Sequence, residues 1–271
     1  MKIETSERVV YEHNPLAEVV CQVRFEKLGD LDDGETAALQ AEFAAVGYPN
    51  FSEEVSFGFA QQFGPNGVAA QAPVALPQTR IRHFSSADGV WRVSVCSEFV
   101  ALTCLKYSSW GEFRPRFISV SQAFLRKHPE AKPSRLGLRY KDVVEREPLG
   151  LDGVQWHELI APFLLGPLAP NTLATGHTPT DDDVGNFLSQ TLLRLDDAML
   201  LLQSSLLASL DGQRRAFLID ADFYNEGDLE PDLLTKPEVL TARLESLHAS
   251  AGALFRRGIT ERLHRALRPN P

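Results

Sequence analysis

The chain of 271 residues is 44% hydrophobic and 23% charged, which is typical of a globular protein with a sizeable core, in one large domain or two small ones. Its net charge of -9 and pI near 5.3 disfavour nonspecific binding to DNA or to anionic membranes. No apolar run approaches the roughly 18 to 20 residues that cross a bilayer, and charges replace the apolar segment of a signal peptide, so we expect a cytoplasmic protein.

The first predicted strand covers residues 17–25, because apolar residues alternate with polar ones there. Its other side carries Glu18, Gln22 and Arg24. After the turn GDLDDG, the segment GETAALQAEFAAVGYP predicts a short helix with an acidic start and a terminal glycine. Residues 51–63 then place phenylalanine and valine mainly at odd positions, which predicts another strand.

A meander, a helix and a strand complete the first half. Residues 64–78 are rich in Gly, Ala and Pro without a period, and we interpret them as a long loop. The runs RIRHFSS, WRVSVCS and FVALTCLKY predict an antiparallel meander. Apolar residues at three- and four-residue spacing predict a helix from Trp110 to Lys127, with its regular part starting near Pro115. The segment SRLGLRYKDVVER is predicted to return as a strand.

The second half starts with a proline-rich connector that holds one short helix near residues 155–165. Three strands are predicted after it, with Asp211-Gly212 as the turn between the last two: residues 187–195, 199–208 and 214–224. The tail is predicted to be an amphipathic helix from Pro237 onward, with basic residues near its end. The fold class is therefore α+β, with two halves of mainly antiparallel sheet covered by helices: residues 1–147 and 183–271, joined by 148–182, or one compact unit.

Three segments carry a resemblance to a known family: NPLAEVVCQVRF, SEFVALTCLKYSSWGEF and RLGLRY. They are similar to a sporadically distributed bacterial protein family of about this length, over most of the chain and most clearly over residues 11–141. The family has no established activity, so the resemblance implies no catalytic residues. Its patchy occurrence implies an accessory gene of a mobile locus, linked to defence or to a toxin.

Arginines recur opposite the apolar residues of the first-half strands: Arg24, Arg80, Arg82, Arg92, Arg135 and Arg139. Guanidinium forks suit phosphate and carboxylate groups, so we predict a recognition surface for something negatively charged. Its best candidates are Arg24, Arg82, Arg92 and Arg139, together with Trp110 as an exposed loop aromatic. Three alternatives stay open: a solvated face with scattered ion pairs, docking against the acidic second half, and a small anionic ligand or nucleic-acid end.

Asp220 and Asp222 lie two residues apart on one predicted strand, so both carboxylates face the same side. Two such carboxylates could anchor Mg²⁺ for phosphoryl chemistry. The other interpretation is an exposed polar face, or pairing with Arg194 or with first-half arginines. Residues 147–271 contain 10 Lys and Arg and 18 Asp and Glu, so this half carries an excess of negative charge.

The sequence contains no H-E-x-x-H, G-x-G-x-x-G or P-loop motif. Cys21, Cys96 and Cys104 have no metal spacing and are interpreted as buried thiols. The leading hypothesis is a noncatalytic cytoplasmic binding or scaffold protein without a cofactor, whose partner is another protein, a second copy or a small anionic ligand, with nucleic acid and membrane disfavoured. The alternative is a metal-dependent phosphoryl hydrolase or nuclease that uses Asp220 and Asp222 with Mg²⁺.

Overall fold

The computed structural model shows an α+β protein built around an antiparallel sheet of nine strands. The structure describes residues 1–4, 6–7, 9–26, 28–29, 31–56, 59–60, 74–75, 79–209, 214–227, 229–230 and 232–270. The helices are α1 (Asp33–Ala45), α2 (Trp110–Leu125), α3 (Pro162–Leu165), α4 (Pro237–Gly258) and α5 (Glu261–Ala266). Short 3-10 helices occur at Glu147–Leu149, Trp156–Glu158, Gly166–Leu168 and Asp181–Asp183.

The strands follow the predicted alternation closely. They are β1 (Val10–Tyr11), β2 (Leu16–Phe25), β3 (Asn50–Ser56), β4 (Phe59–Ala60), β5 (Val74–Ala75), β6 (Thr79–Ser85), β7 (Trp91–Cys96), β8 (Phe99–Cys104), β9 (Pro133–Glu145), β10 (Leu188–Arg194), β11 (Met199–Ala208), β12 (Arg215–Glu226) and β13 (Pro269–Asn270). The large sheet has the order β10-β11-β12-β9-β2-β8-β7-β6-β3. Two small sheets pair β1 with β13 and β4 with β5.

Strand β9 joins the two predicted halves. Leu138 in β9 lies opposite Cys21 in β2 on one side and opposite Phe223 in β12 on the other. The meanders β6–β8 and β10–β12 therefore belong to the same sheet. The α+β class with mainly antiparallel sheet is confirmed, while the domain boundaries at 147 and 182 stay a prediction.

The helices pack on one face of the sheet, which we call the helix face. Its buried residues include Val19, Cys21, Val23, Leu136, Leu138, Phe217 and Ile219. Phe124 of α2 stacks on Phe25 with ring centroids 5.0 Å apart, and Phe43 of α1 lies 4.9 Å from Phe84. The alternating side chains form the other face, which we call the polar face: Glu18, Gln22, Arg24, Arg92, Arg135, Arg139, Lys141, Asp220 and Asp222.

Local sequence explains where the helices begin and end. Asp32 caps α1 by accepting from the backbone of Glu35, whose side chain accepts from Asp32 in return. Ser109 caps α2, so that helix starts at Trp110, and the predicted start of the regular helix near Pro115 is wrong. The predicted continuous tail is interrupted between α4 and α5, where Thr260 caps the second helix.

Several sequence predictions meet the limits of the described residues. Residues 50–56 form β3, whereas 57–58 and 61–73 lie outside the described residues, as does the predicted turn at Asp211-Gly212. Of the predicted loop 64–78, the described residues 74–75 form β5. None of the five helices that the described residues form is both apolar enough and long enough to pass through a bilayer.

The three cysteines are free and buried, as their positions in the strands predicted. Burial raises the pKa of each thiol, which keeps it protonated and unreactive at neutral pH. They therefore serve as small apolar side chains of the sheet.

Replacing Leu138 with alanine should remove a fully buried side chain at the strand that joins both meanders. We expect the free energy of unfolding to fall by about 2 to 5 kcal/mol, because the lost transfer energy adds to a cavity that β2 and β12 cannot close. Urea unfolding of the variant checks this. Leu105→Ala, at a side chain 49% exposed, is the control and should change stability by less than about 0.5 kcal/mol. Equal losses in both variants would contradict the central role of β9.

Candidate functional site

The polar face brings bases of β9 next to acids of its two neighbouring strands. In the register, Asp222 of β12 lies opposite Arg139, and Asp220 lies opposite Lys141. Glu18 of β2 lies opposite Lys141 from the other side. Since side chains of directly opposed residues point to the same face, these groups form one charged strip across three strands.

The acids and bases of this strip are paired with one another. Arg139 donates through Nε to Asp220 Oδ1 at 2.6 Å and through Nη2 to Oδ2, and this bidentate bond raises the pKa of the guanidinium. Arg135 donates to Asp222 Oδ2 at 2.8 Å, and Lys141 pairs with Glu18. Of the alternatives for these acids, pairing with first-half arginines is the one observed.

The paired state of Asp220 and Asp222 bears on the metal alternative. A magnesium ion would have to compete with a guanidinium group for each of the two carboxylates. Within the part of the chain that the structure describes, no group of three or more His, Cys, Asp or Glu side chains is arranged to hold a metal. The arrangement thus supplies ion pairs that tie β9 to β12, with each carboxylate bound to a guanidinium group.

Arg24 and Arg92 have a different environment from the paired arginines. Arg24 is exposed, and among the described residues it donates to Gln22 Oε1, at 3.1 Å. The Nε of Arg92 is buried and has no hydrogen-bond partner in the part of the chain that the structure describes. Neither side chain forms an ion pair with a described residue, so both guanidinium groups keep their charge available on the polar face.

Arg82 does not belong to this face, which corrects its assignment to the recognition surface. It lies opposite Val95, whose side chain is buried on the helix face. Its guanidinium donates to Thr36 Oγ1 at 2.6 Å and to the carbonyl oxygen of Leu31. The core residue of β6 is Phe84, which lies two positions from Arg82. Arg82 therefore points to the helix face together with Phe84, and not to the polar face.

Trp110 is also corrected, because it is 7% exposed and is the first residue of α2. Its indole nitrogen donates to Glu245 Oε1 at 2.8 Å. Its ring stacks on His248 of α4, with centroids 4.2 Å apart. Trp110 is thus held between two helices and faces a cavity.

This cavity, which we call the α4 cavity, has a volume of about 550 Å³ and lies between α4, the start of α2 and strands β1, β2 and β9. Its aromatic lining residues are Tyr11, Tyr107, Trp110, Tyr140 and Phe255. The hydroxyl of Tyr11 is 2.8 Å from Nδ1 of His264, and that of Tyr140 is 2.7 Å from Nδ1 of His248. These bonds fix the polar ends of two rings and leave their faces to the cavity.

Asp142 is the acid of the α4 cavity. It lies on the helix face of β9, is 5% exposed, and forms no hydrogen bond or ion pair with any described side chain. Burial and the negative charge of Asp220 raise its pKa to about 8. Sequence reasoning missed it, although a signal was present: Asp142 continues the apolar series Leu136, Leu138 and Tyr140, where an acid is out of place.

No family model matches the chain, and no curated protein matches it. Among solved structures, it is similar to the S. pombe Pct1 RNA triphosphatase, with 8% identity, 97% of this chain and 87% of that chain covered, and a TM-score of 0.14. The same protein in complex with the Spt5 CTD gives 8% identity, 97% and 88% coverage, and a TM-score of 0.13. These scores are too low to carry an argument about fold or function.

The Arg139–Asp220 pair should show an asymmetric response to mutation. Arg139→Gln leaves a carboxylate whose side chain is 5% exposed without its cation, whereas Asp220→Asn leaves an arginine that is 42% exposed and can reach water. We expect Arg139→Gln to cost about 2 to 3 kcal/mol, below the cost for a fully buried pair, and Asp220→Asn to cost less. Chemical unfolding of both variants measures this. An equal or reversed order would contradict the burial argument.

Asp142 should make stability depend on pH. The folded protein binds this proton more tightly than the unfolded chain, because the folded pKa of about 8 exceeds the unfolded value. Its stabilising contribution is thus present below about pH 4 and is lost as pH rises to 8. Relative to Asp142→Asn, wild type should lose about 1.4 kcal/mol per pH unit across that window. Parallel unfolding curves of the two proteins from pH 5 to 8 would show that Asp142 is not perturbed.

Proposed function

We propose that the protein is a noncatalytic binding or scaffold protein that holds an acidic region of a protein partner on its polar face. The observation that carries the proposal is a group of exposed leucines on this face, which lies across the charged strip from Arg24 and Arg92, four strands from the first and six from the second. The buried free thiols support a cytoplasmic location, which belongs to the same proposal. The accessory role in a mobile locus, which the sequence resemblance implies, is also part of this proposal.

The leucine patch consists of Leu188, Leu192 and Leu207, which are 60%, 56% and 38% exposed. Leu192 of β10 lies opposite Leu201 of β11, which in turn lies opposite Asp222. The patch is therefore on the polar face and continuous with the charged strip. β10 is the first strand of the sheet, so the patch is also at a sheet edge, and exposed apolar groups at such an edge are typical of interaction surfaces.

The spacing of the unpaired arginines favours a large partner over a small anion. Arg92 lies two strands from β2, in line with Val20, and Arg24 is four residues farther along β2. With about 4.8 Å between strands and 3.4 Å per residue, their Cα atoms are about 17 Å apart. One phosphate or carboxylate would not span this distance, whereas the acidic groups of a protein surface would. Apolar contacts flanked by such charges are the usual composition of an interface.

The proposal is tested with the double variants Arg24→Glu/Arg92→Glu and Leu188→Ser/Leu192→Ser. Crosslinked capture from the native host identifies the partner, and titration with the purified partner then measures the affinity. Each double variant should bind more than about tenfold more weakly, because charge reversal repels acidic groups and the leucine change removes apolar contact. Higher salt should weaken the wild-type complex and have less effect on the arginine variant.

Lys106→Glu and Leu173→Ser are the matched controls, because both residues are exposed and lie outside the polar face. They should bind as wild type does. Unchanged affinity in both double variants would refute the proposed surface. If instead the leucine variant lowers the molar mass in solution, the patch binds a second copy, and self-association replaces the acidic partner.

A further inference from the structure

The α4 cavity is a second site, separate from the polar face, because it lies on the helix face of the sheet. Its central feature is Asp142, a carboxyl group that is 5% exposed and borders the cavity. Buried carboxyl groups are normally hydrogen-bonded or paired. Asp142 has neither kind of partner among the described residues, so the fold itself does not explain why an acid is placed there.

The charges around the cavity favour a positive ligand. Two acids, Glu7 and Asp142, border it. The described base that borders it, Arg256, is already paired with Glu261 at 2.9 Å. Where Asp142 is ionised, an anion would therefore meet its negative charge and a neutralised guanidinium, whereas a cation would find a carboxylate that no described side chain occupies.

The aromatic walls favour a cation that carries apolar groups. Trp110, Tyr140 and Tyr11 border the same space as Asp142, and Phe255 lies 5.9 Å from Tyr11 in an edge contact. Ring faces attract an ammonium group through their quadrupole, most strongly where water is excluded. Because the polar ends of Tyr11, Tyr140 and Trp110 are bound to histidine or glutamate, these rings are held in place before a ligand arrives.

We propose that the α4 cavity binds an organic ammonium cation, with Asp142 as its counter-ion and the aromatic side chains as its walls. A metal cation fits less well, because the lining offers one buried carboxyl group among rings rather than a set of oxygen ligands. The volume of about 550 Å³ accommodates a cation that carries a ring or several alkyl groups.

Binding should depend on pH through Asp142. The described titratable and charged groups that border the cavity with it are Tyr11 of β1, Tyr140 of β9, His248 and Arg256 of α4, and Glu7, while Asp220 acts on it from the other face of the sheet. With a pKa of about 8, Asp142 is about one-tenth ionised at pH 7 and about nine-tenths ionised at pH 9. A permanently charged ligand should thus bind about tenfold more tightly at pH 9.

The test is calorimetric titration of the full chain with benzyltrimethylammonium, whose charge does not titrate. The neutral 3-phenyl-1-propanol and the anionic 3-phenylpropanoate are compared because they have nearly the same size. We expect the cation to bind with the pH dependence above and the anion not to bind. Asp142→Asn should weaken cation binding at pH 9 at least tenfold, remove its pH dependence and leave binding of the alcohol unchanged.

A second variant shows whether the probe occupies this cavity. Gly252 borders the cavity, and a Cβ placed on it meets nothing within 4 Å, so Gly252→Leu should fill the space without disrupting α4. It should weaken all probes that enter, whereas Ala242→Leu, at an exposed position of α4, should not. Equal cation affinity in wild type and Asp142→Asn, tighter binding of the anion, no cation binding at millimolar concentration, or insensitivity to Gly252→Leu would each overturn the proposal.

Discussion

The pairing of β9 with β2 on one side and β12 on the other is the constraint on which the rest of the structure depends. A strand that is hydrogen-bonded on both edges presents alternate side chains to two faces. In β9 the series that contains Leu138 faces the helices and closes the core, while Arg135 and Arg139 face the other way. The same thirteen residues therefore position both the charged strip and the acid of the α4 cavity.

The two faces are also coupled electrostatically. Asp220 points to the polar face and is held there by Arg139, yet its charge raises the pKa of Asp142 on the helix face. Ile219, the neighbour of Asp220, lies opposite Asp142, so the two acids are separated only by the thickness of the sheet. The proton affinity of Asp142 thus depends in part on an acid that lies outside the cavity.

Periodicity predicted most strands, because a period of two is a local property of the chain, and β2 and β9 show it plainly. It did not predict that β12 pairs with β9, since that contact joins distant parts of the chain. The predicted face of Arg82 in β6 was wrong, because this arginine is buried under α1 and donates a hydrogen bond to Thr36 of that helix. Trp110 was predicted to be exposed, and Asp142 was not recognised as a site residue. Both border a cavity that forms between α4 and the sheet, and no local sequence pattern encodes a space between distant elements.

Ion pairing is the feature that supports the proposed binding function over metal-dependent hydrolysis. The spacing of Asp220 and Asp222 is compatible with a metal site, but in the structure each carboxylate forms an ion pair with an arginine of β9. Acids that are neutralised in this way tie β9 to β12, since each carboxylate is bound to a guanidinium group of β9. Arg24 and Arg92 on the polar face and Asp142 on the helix face instead form no ion pair with a described residue. Because the sheet separates the two arginines from Asp142, these groups cannot act on one reacting group, and the two proposals give each face a ligand of its own.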